Sequence, residues 1–175
     1  MMSTRIPEIE PGTRPELAEH EARIMAARGR VSALYKILLN SPVICDGWEQ
    51  MMSAVRNKSS LNAALREMII LRVAVLNKAS YEFEAHVPHA QKAGFADAKI
   101  EALKRDAIGA EFSEQERAIL EATDSLTRDV SLSDAQFDKL RPFFKPGELV
   151  EVMATIASYN MVSRFLIAMN IVGKH

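Results

Sequence analysis

The stretch LNAALREMIILRVAVL, residues 61–76, constrains the fold more than any other part of the chain. Projected as a helix at about 100° per residue, it leaves almost no polar face. Only Arg66, Glu67 and Arg72 carry charge, and they point in three different directions. A helix that is apolar nearly all round is buried, so the remaining elements have to wrap around this one.

Those elements also read as helices. Glycines and prolines punctuate segments with helical periodicity, and no period-2 strand pattern is found along the chain. PELAEHEARIMAARG predicts a helix from about Pro15 to Arg28 that Gly29 ends. SPVICDGWEQMMSAVRN predicts one with Ser41 as N-cap and Pro42 at the first helical position, where the missing N–H is not needed. Ser113 with Glu116, and Ser133 with Gln136, each have the spacing of a capping box. SYEFEAHVPHAQKAG follows the apolar helix after a turn of two or three residues, and GELVEVMATIASYNMVSRFLIAMNIVG forms a long, mostly apolar final segment. The expected class is all-α: an extended N-terminal arm over residues 1–15, rich in Pro and Gly, and one helical domain over 16–175.

The 175 residues suffice for one domain with a real core. A formal net charge of -1 gives no basic excess for a nucleic acid or an anionic membrane surface, so neither is expected as a partner. The N-terminal stretch has no apolar core of signal-peptide type, and no run approaches the ~18 apolar residues of a membrane span. Cys45 is the single cysteine, which rules out an intrachain disulfide and agrees with a reducing, cytoplasmic setting. It has no adjacent histidine and reads as a buried, inert thiol.

Chemistry concentrates in NKASYEFEAHVPHA, residues 77–90. Glu82, His86 and His89 recur at i, i+4 and i+7, on one helix face. A short connection favours an antiparallel hairpin with the apolar helix before it. At a rise of about 1.5 Å per residue, Glu67 lies roughly 15 Å before the turn and His86 roughly 9 Å after it, so the two can meet. A carboxylate on an apolar helix either shifts its pKa or finds a cation or donor. Three readings are open from the residues: a proton-transfer site of Glu67, Glu82 and a histidine, a metal site on the Glu82/His86/His89 face, and a structural polar face. Pro88 is expected to kink the helix between the histidines, which counts against the metal reading. Arg72 and Arg164 are candidates to hold a substrate carboxylate, with Tyr81 beside them as a binding residue. No metal ligand set and no cofactor is assigned.

ALREMIILRVAVLNKASYEFEAHVPHAQKAG closely resembles the core motif of the carboxymuconolactone decarboxylase family, which includes AhpD-like proteins. The resemblance continues through FSEQERAILEATDSLT and FFKPGELVEVMATIASYNMVSRFL and covers roughly residues 30–172. It implies an AhpD-like helical bundle assembled from identical chains, commonly as a trimer or hexamer. In the family's peroxidase branch a Cys-x-x-Cys pair opens the fourth helix, with a glutamate upstream and a histidine downstream. By that resemblance Glu67 takes the glutamate's place and His86 the histidine's, while the cysteine positions fall on Ala79 and Glu82. A thiol peroxidase needs one thiolate to attack and a second thiol to resolve, so that activity is disfavoured here. The resemblance to the decarboxylase branch implies acid–base lyase chemistry on a small lactone or carboxylated metabolite, with His86 and Glu82 as proton donor and modulator and Glu67 orienting the imidazole. AhpD-like antioxidant activity and a non-catalytic, oligomeric ligand-binding protein are the alternatives.

Overall fold

The structure is a computed structural model and describes residues 4–172. Among these residues there are nine α-helices and no strand, so the fold is all-α as its sequence patterning predicts. The described residues divide into two units.

The first unit comprises residues 4–58 and 166–172. After a 3-10 turn at Pro15–Leu17 come α1 (Ala18–Arg28), α2 (Ala33–Leu38) and α3 (Pro42–Ser53), and a π-helical turn at Ala54–Lys58 extends α3. Pro42 opens α3 as expected, but Ser41 caps it without a side-chain hydrogen bond. Asp46 of α3 accepts from Arg23 at 2.7 Å and sits 2.7 Å from His20 Nδ1, tying α3 to α1. Cys45 is 1% exposed. Burial, with Asp46 and Glu49 adding to it, pushes its thiol up to about 11, where almost no thiolate exists at neutral pH.

The second unit, residues 59–165, is built around α4 (Ala63–Leu76). Its residues 67–74 are all buried, as a helix without a polar face requires. Asn62 starts it: the side-chain carbonyl accepts from the N–H groups of Ala64 and Leu65 at 2.9 and 3.3 Å. α5 (Ser80–Lys92) and α7 (Glu114–Arg128) pack against α4, with α6 (Asp97–Ala102) and α8 (Asp134–Asp138) as short connectors. Both capping boxes form, Ser113–Glu116 on α7 and Ser133–Gln136 on α8. α9 (Pro146–Ala168) closes the chain. Near its start Glu151 accepts from the Ser60 N–H at 3.0 Å and from the Ser60 hydroxyl at 2.8 Å.

The turn from α4 to α5 sets the register of the hairpin. Ala79 N–H bonds to Ala74 C=O at 2.8 Å and Lys78 N–H to Val75 C=O at 3.0 Å. This is the paired pattern of a Schellman cap. Lys78 occupies its left-handed position with φ 57°. α5 ends in the same pattern, Phe95 N–H to Ala90 C=O and Gly94 N–H to Gln91 C=O, but there the left-handed residue is a glycine. A side chain in this conformation costs about 1–2 kcal/mol. Glycine avoids that strain but loses more entropy on folding. Lys78→Gly is therefore expected to stabilise by about 0.5–1 kcal/mol, raising Tm by roughly 2 °C. A lower Tm in a calorimetric scan would show that the lysine is not strained.

Candidate active site

The hairpin brings Glu67 of α4 against His86 of α5. His86 Nδ1 lies 2.6 Å from Glu67 Oε2, and His86 Nε2 lies 3.1 Å from Glu82 Oε1, one turn earlier on α5. The side chains of Glu67 and His86 are each 5% exposed and that of Glu82 is 7% exposed. The ring is thus held between two buried carboxylates, one from each helix.

This arrangement favours the protonated ring. A neutral imidazole carries one N–H and would turn a lone pair on one of the carboxylates. The imidazolium satisfies both. Burial pulls the His86 pKa down, but the charge of Glu82 and the hydrogen bonds the ring donates to Glu67 and Glu82 outweigh it, and the net shift is upward. With a raised folded value, the stability His86 contributes is fully present below its unfolded value, about 6.5. It is lost as pH rises through the folded value.

Two more rings and one more charge complete the surroundings. Tyr159 of α9 meets the His86 ring edge-on, with centroids 5.3 Å apart and planes at 88°. His89, exposed on α5, lies 5.5 Å away by centroid at a 51° tilt. α5 continues as a helix through Pro88. Arg66 approaches Glu67 from the other side, its Nε 3.9 Å from Glu67 Oε1. Glu82 occupies the first turn of α5, where the helix dipole favours a negative charge.

Of the residues singled out in the sequence, Glu67, Glu82 and His86 are thus brought together. Arg72 is not brought to them. It is 2% exposed and all five of its N–H donors are spent inside the chain. Nε and Nη2 grip the two Asp124 carboxylate oxygens, while Nη1 and Nη2 donate to the carbonyls of Leu103, Arg105 and Asp106. A guanidinium used up in this way fastens α4 to α7 and to the chain after α6, and has no donor left for a substrate carboxylate. Arg164 is exposed on α9, and Tyr81 is half-buried in the first turn of α5. Among the described residues no group of three or more His, Cys, Asp or Glu side chains is arranged to hold a metal ion. Sequence reasoning did not place Tyr159 and Arg66 at the site. One signal for Tyr159 is present: YEFEAH and YNMVSRF each follow an apolar stretch that begins near a glutamate.

The all-helical chain has the fold of AhpD-like proteins. The family model described as carboxymuconolactone decarboxylase family matches residues 42–125, which include the whole hairpin. Over that stretch the chain is similar to this family. A crystal structure described as an alkylhydroperoxidase AhpD core, an uncharacterized peroxidase-related protein from Ralstonia eutropha, superposes with a TM-score of 0.84. It is 17% identical in sequence, and the match covers 99% of this chain and 94% of that one. The debrominase Bmp8 in complex with 2,3,4-tribromopyrrole gives a TM-score of 0.80 at 17% identity, covering 97% of this chain and 91% of that one. At such identities the likeness is one of fold. In sequence, the uncharacterized protein YdfG of Bacillus subtilis is 27% identical over 120 residues, 67% of this chain and 82% of that protein.

Proposed function

We propose that the chain is an acid–base enzyme of lyase type, acting on a small lactone or carboxylated metabolite with Glu82 as the group that exchanges a proton with substrate. The observation that carries this reading is the bonding of both His86 nitrogens to carboxylates. A ring engaged on both sides has no lone pair or N–H to offer a substrate, so the exchange falls to an end of the chain. Glu67 has Arg66 at 3.9 Å on its other oxygen, and Glu82 lies in the first turn of α5, so we assign the exchange to Glu82. His86 then acts behind it, bridging Glu82 to Glu67. Catalysis by acid–base transfer of this kind is worth about 10²–10⁴-fold.

Peroxide reduction by the family's paired-thiol route does not suit this site. Ala79 and Glu82 stand where the resemblance puts the sulfurs, and the Cys45 thiol is buried with a raised pKa. Assembly into a trimer or hexamer stays part of the proposal, and the exposure of Val150 and Met161 on α9 supports a face that another copy covers. Among the described residues no helix is long and apolar enough to cross a membrane.

Assay of the purified protein against a panel of lactones and lactone acids, following loss of the ring and release of CO₂, tests the reading. Turnover is expected in the wild type, with a fall of about 10²-fold or more in Glu82→Gln. A Glu82→Gln variant as active as the wild type would remove Glu82 from the mechanism.

A further inference from the structure

We propose that Arg66 is a positioning residue that sets the protonation of the Glu67–His86–Glu82 chain, keeping the outer carboxylate free to accept a proton. This deepens the acid–base reading and rests on it for its catalytic consequence, though not for its test.

The argument starts from charge. An imidazolium between two carboxylates is a buried group of net charge −1, and an uncompensated buried charge is costly. The alternative to a compensating cation is one more proton. Arg66 supplies the cation: its side chain is 14% exposed and its Nε lies 3.9 Å from the Glu67 oxygen that faces away from His86. The order along the site becomes Arg66, Glu67, His86, Glu82, with basic and acidic side chains alternating. Adjacent helix residues do not ordinarily face one another, so this contact requires Arg66 to fold back along α4. A second contact holds it there, from Nη1 to the Leu61 carbonyl at 3.4 Å. The Nε–H itself is buried and has no hydrogen-bond acceptor. Arg66 therefore acts on Glu67 through charge, and Glu67 separates it from the ring.

Among the described residues, Glu67 from α4, Glu82 and His89 from α5, and Tyr159 from α9 contact the ring. α7, which also packs on α4, has its Asp124 carboxylate committed to Arg72. Removing the Arg66 charge thus shifts the balance toward taking up a proton. A carboxylate that gains that proton at neutral pH can no longer act as a base.

The test is a titration followed by NMR. Protein labelled at histidine ring nitrogens and glutamate carboxyl carbons is titrated as the wild type, Arg66→Gln, Arg66→Met and Arg66→Lys, with folding checked by far-UV circular dichroism. Arg66→Met keeps the aliphatic stem and serves as a second neutral variant. The neutral variants are expected to show a site carboxyl midpoint about one unit above that of the wild type. Arg66→Lys is expected to restore it. An unchanged midpoint in the neutral variants, or the same shift in Arg66→Lys, overturns the proposal. The readout needs no substrate. A protein that shows the shift but never turns over a lactone defeats the enzyme reading and leaves this one standing. Lactone turnover without the shift does the reverse.

Discussion

Replacing Arg72 with methionine is expected to destabilise the protein by about 3–5 kcal/mol, lowering Tm by roughly 10 °C. The side chain is buried and feeds five hydrogen bonds, two to Asp124 and three to the carbonyls of Leu103, Arg105 and Asp106. Methionine fills much of the same volume, so the loss reflects the stranded acceptors rather than a cavity. The Asp124 side chain is itself only 19% exposed and would keep a charge with no partner. The double variant Arg72→Met/Asp124→Leu removes that charge too and should recover part of the stability, since replacing both members of a buried pair is far milder than removing one. Denaturant midpoints for the two single variants and the double variant give the coupling directly. A loss below about 1 kcal/mol in Arg72→Met would mean that water or a neighbouring side chain satisfies the carbonyls, and the clamp would have to be abandoned as an account of how α4 is fixed.

His86→Leu should have an effect of similar size, and one that acid relieves. Leucine leaves Glu67 and Glu82 buried near each other with no cation between them. Burial and mutual repulsion then raise the folded carboxyl pKa values above the unfolded value of about 4.3. A raised folded value means that stability is retained below the unfolded value and lost as pH rises through the folded one. The variant should therefore be most stable near pH 4–5 and weaken by about 3 kcal/mol or more toward pH 7. In the wild type the His86 ring lies between the two carboxylates, 2.6 Å from one and 3.1 Å from the other, and relieves this penalty. Urea unfolding at intervals across that pH range separates the cases. Parallel profiles for variant and wild type would show that the carboxylates are hydrated or otherwise paired, and the buried three-member chain would not describe the site.

The sequence was informative where chemistry and periodicity coincide. The apolar run 67–74 reads as a central helix because nothing polar offers it a solvent face, and the structure buries all of it. The spacing of Glu82 and His86 places them on one face, and a short turn brings Glu67 level with them. What the spacing could not supply was azimuth across the hairpin. Glu67 and Arg72 are both charges on an apolar helix, and nothing local separates the one that joins the site from the one that locks into α7. That distinction depends on Asp124, 52 positions along the chain from Arg72. Tyr159 was similarly hidden, because a ring in a long apolar helix reads as core until its partner is known. Lys78 was hidden for another reason. The chain adopts a left-handed turn where glycine is the usual residue, so the usual marker of the cap is missing from the sequence.

The α4–α5 turn has a consequence for how such a site can change. Ala79 contributes to the turn through its backbone N–H, and its methyl group takes no part in the hydrogen bonding that closes the cap. Glu82 lies within the first turn of α5, and its side chain likewise is not what holds the hairpin together. Anchorage resides in other residues, in Asn62 at one end of α4 and in the Arg72 clamp along its length. The hairpin is in this sense a socket whose fastenings are separate from its contacts. Side chains at positions 79 and 82 can therefore change while the backbone hydrogen bonds that close the turn stay the same.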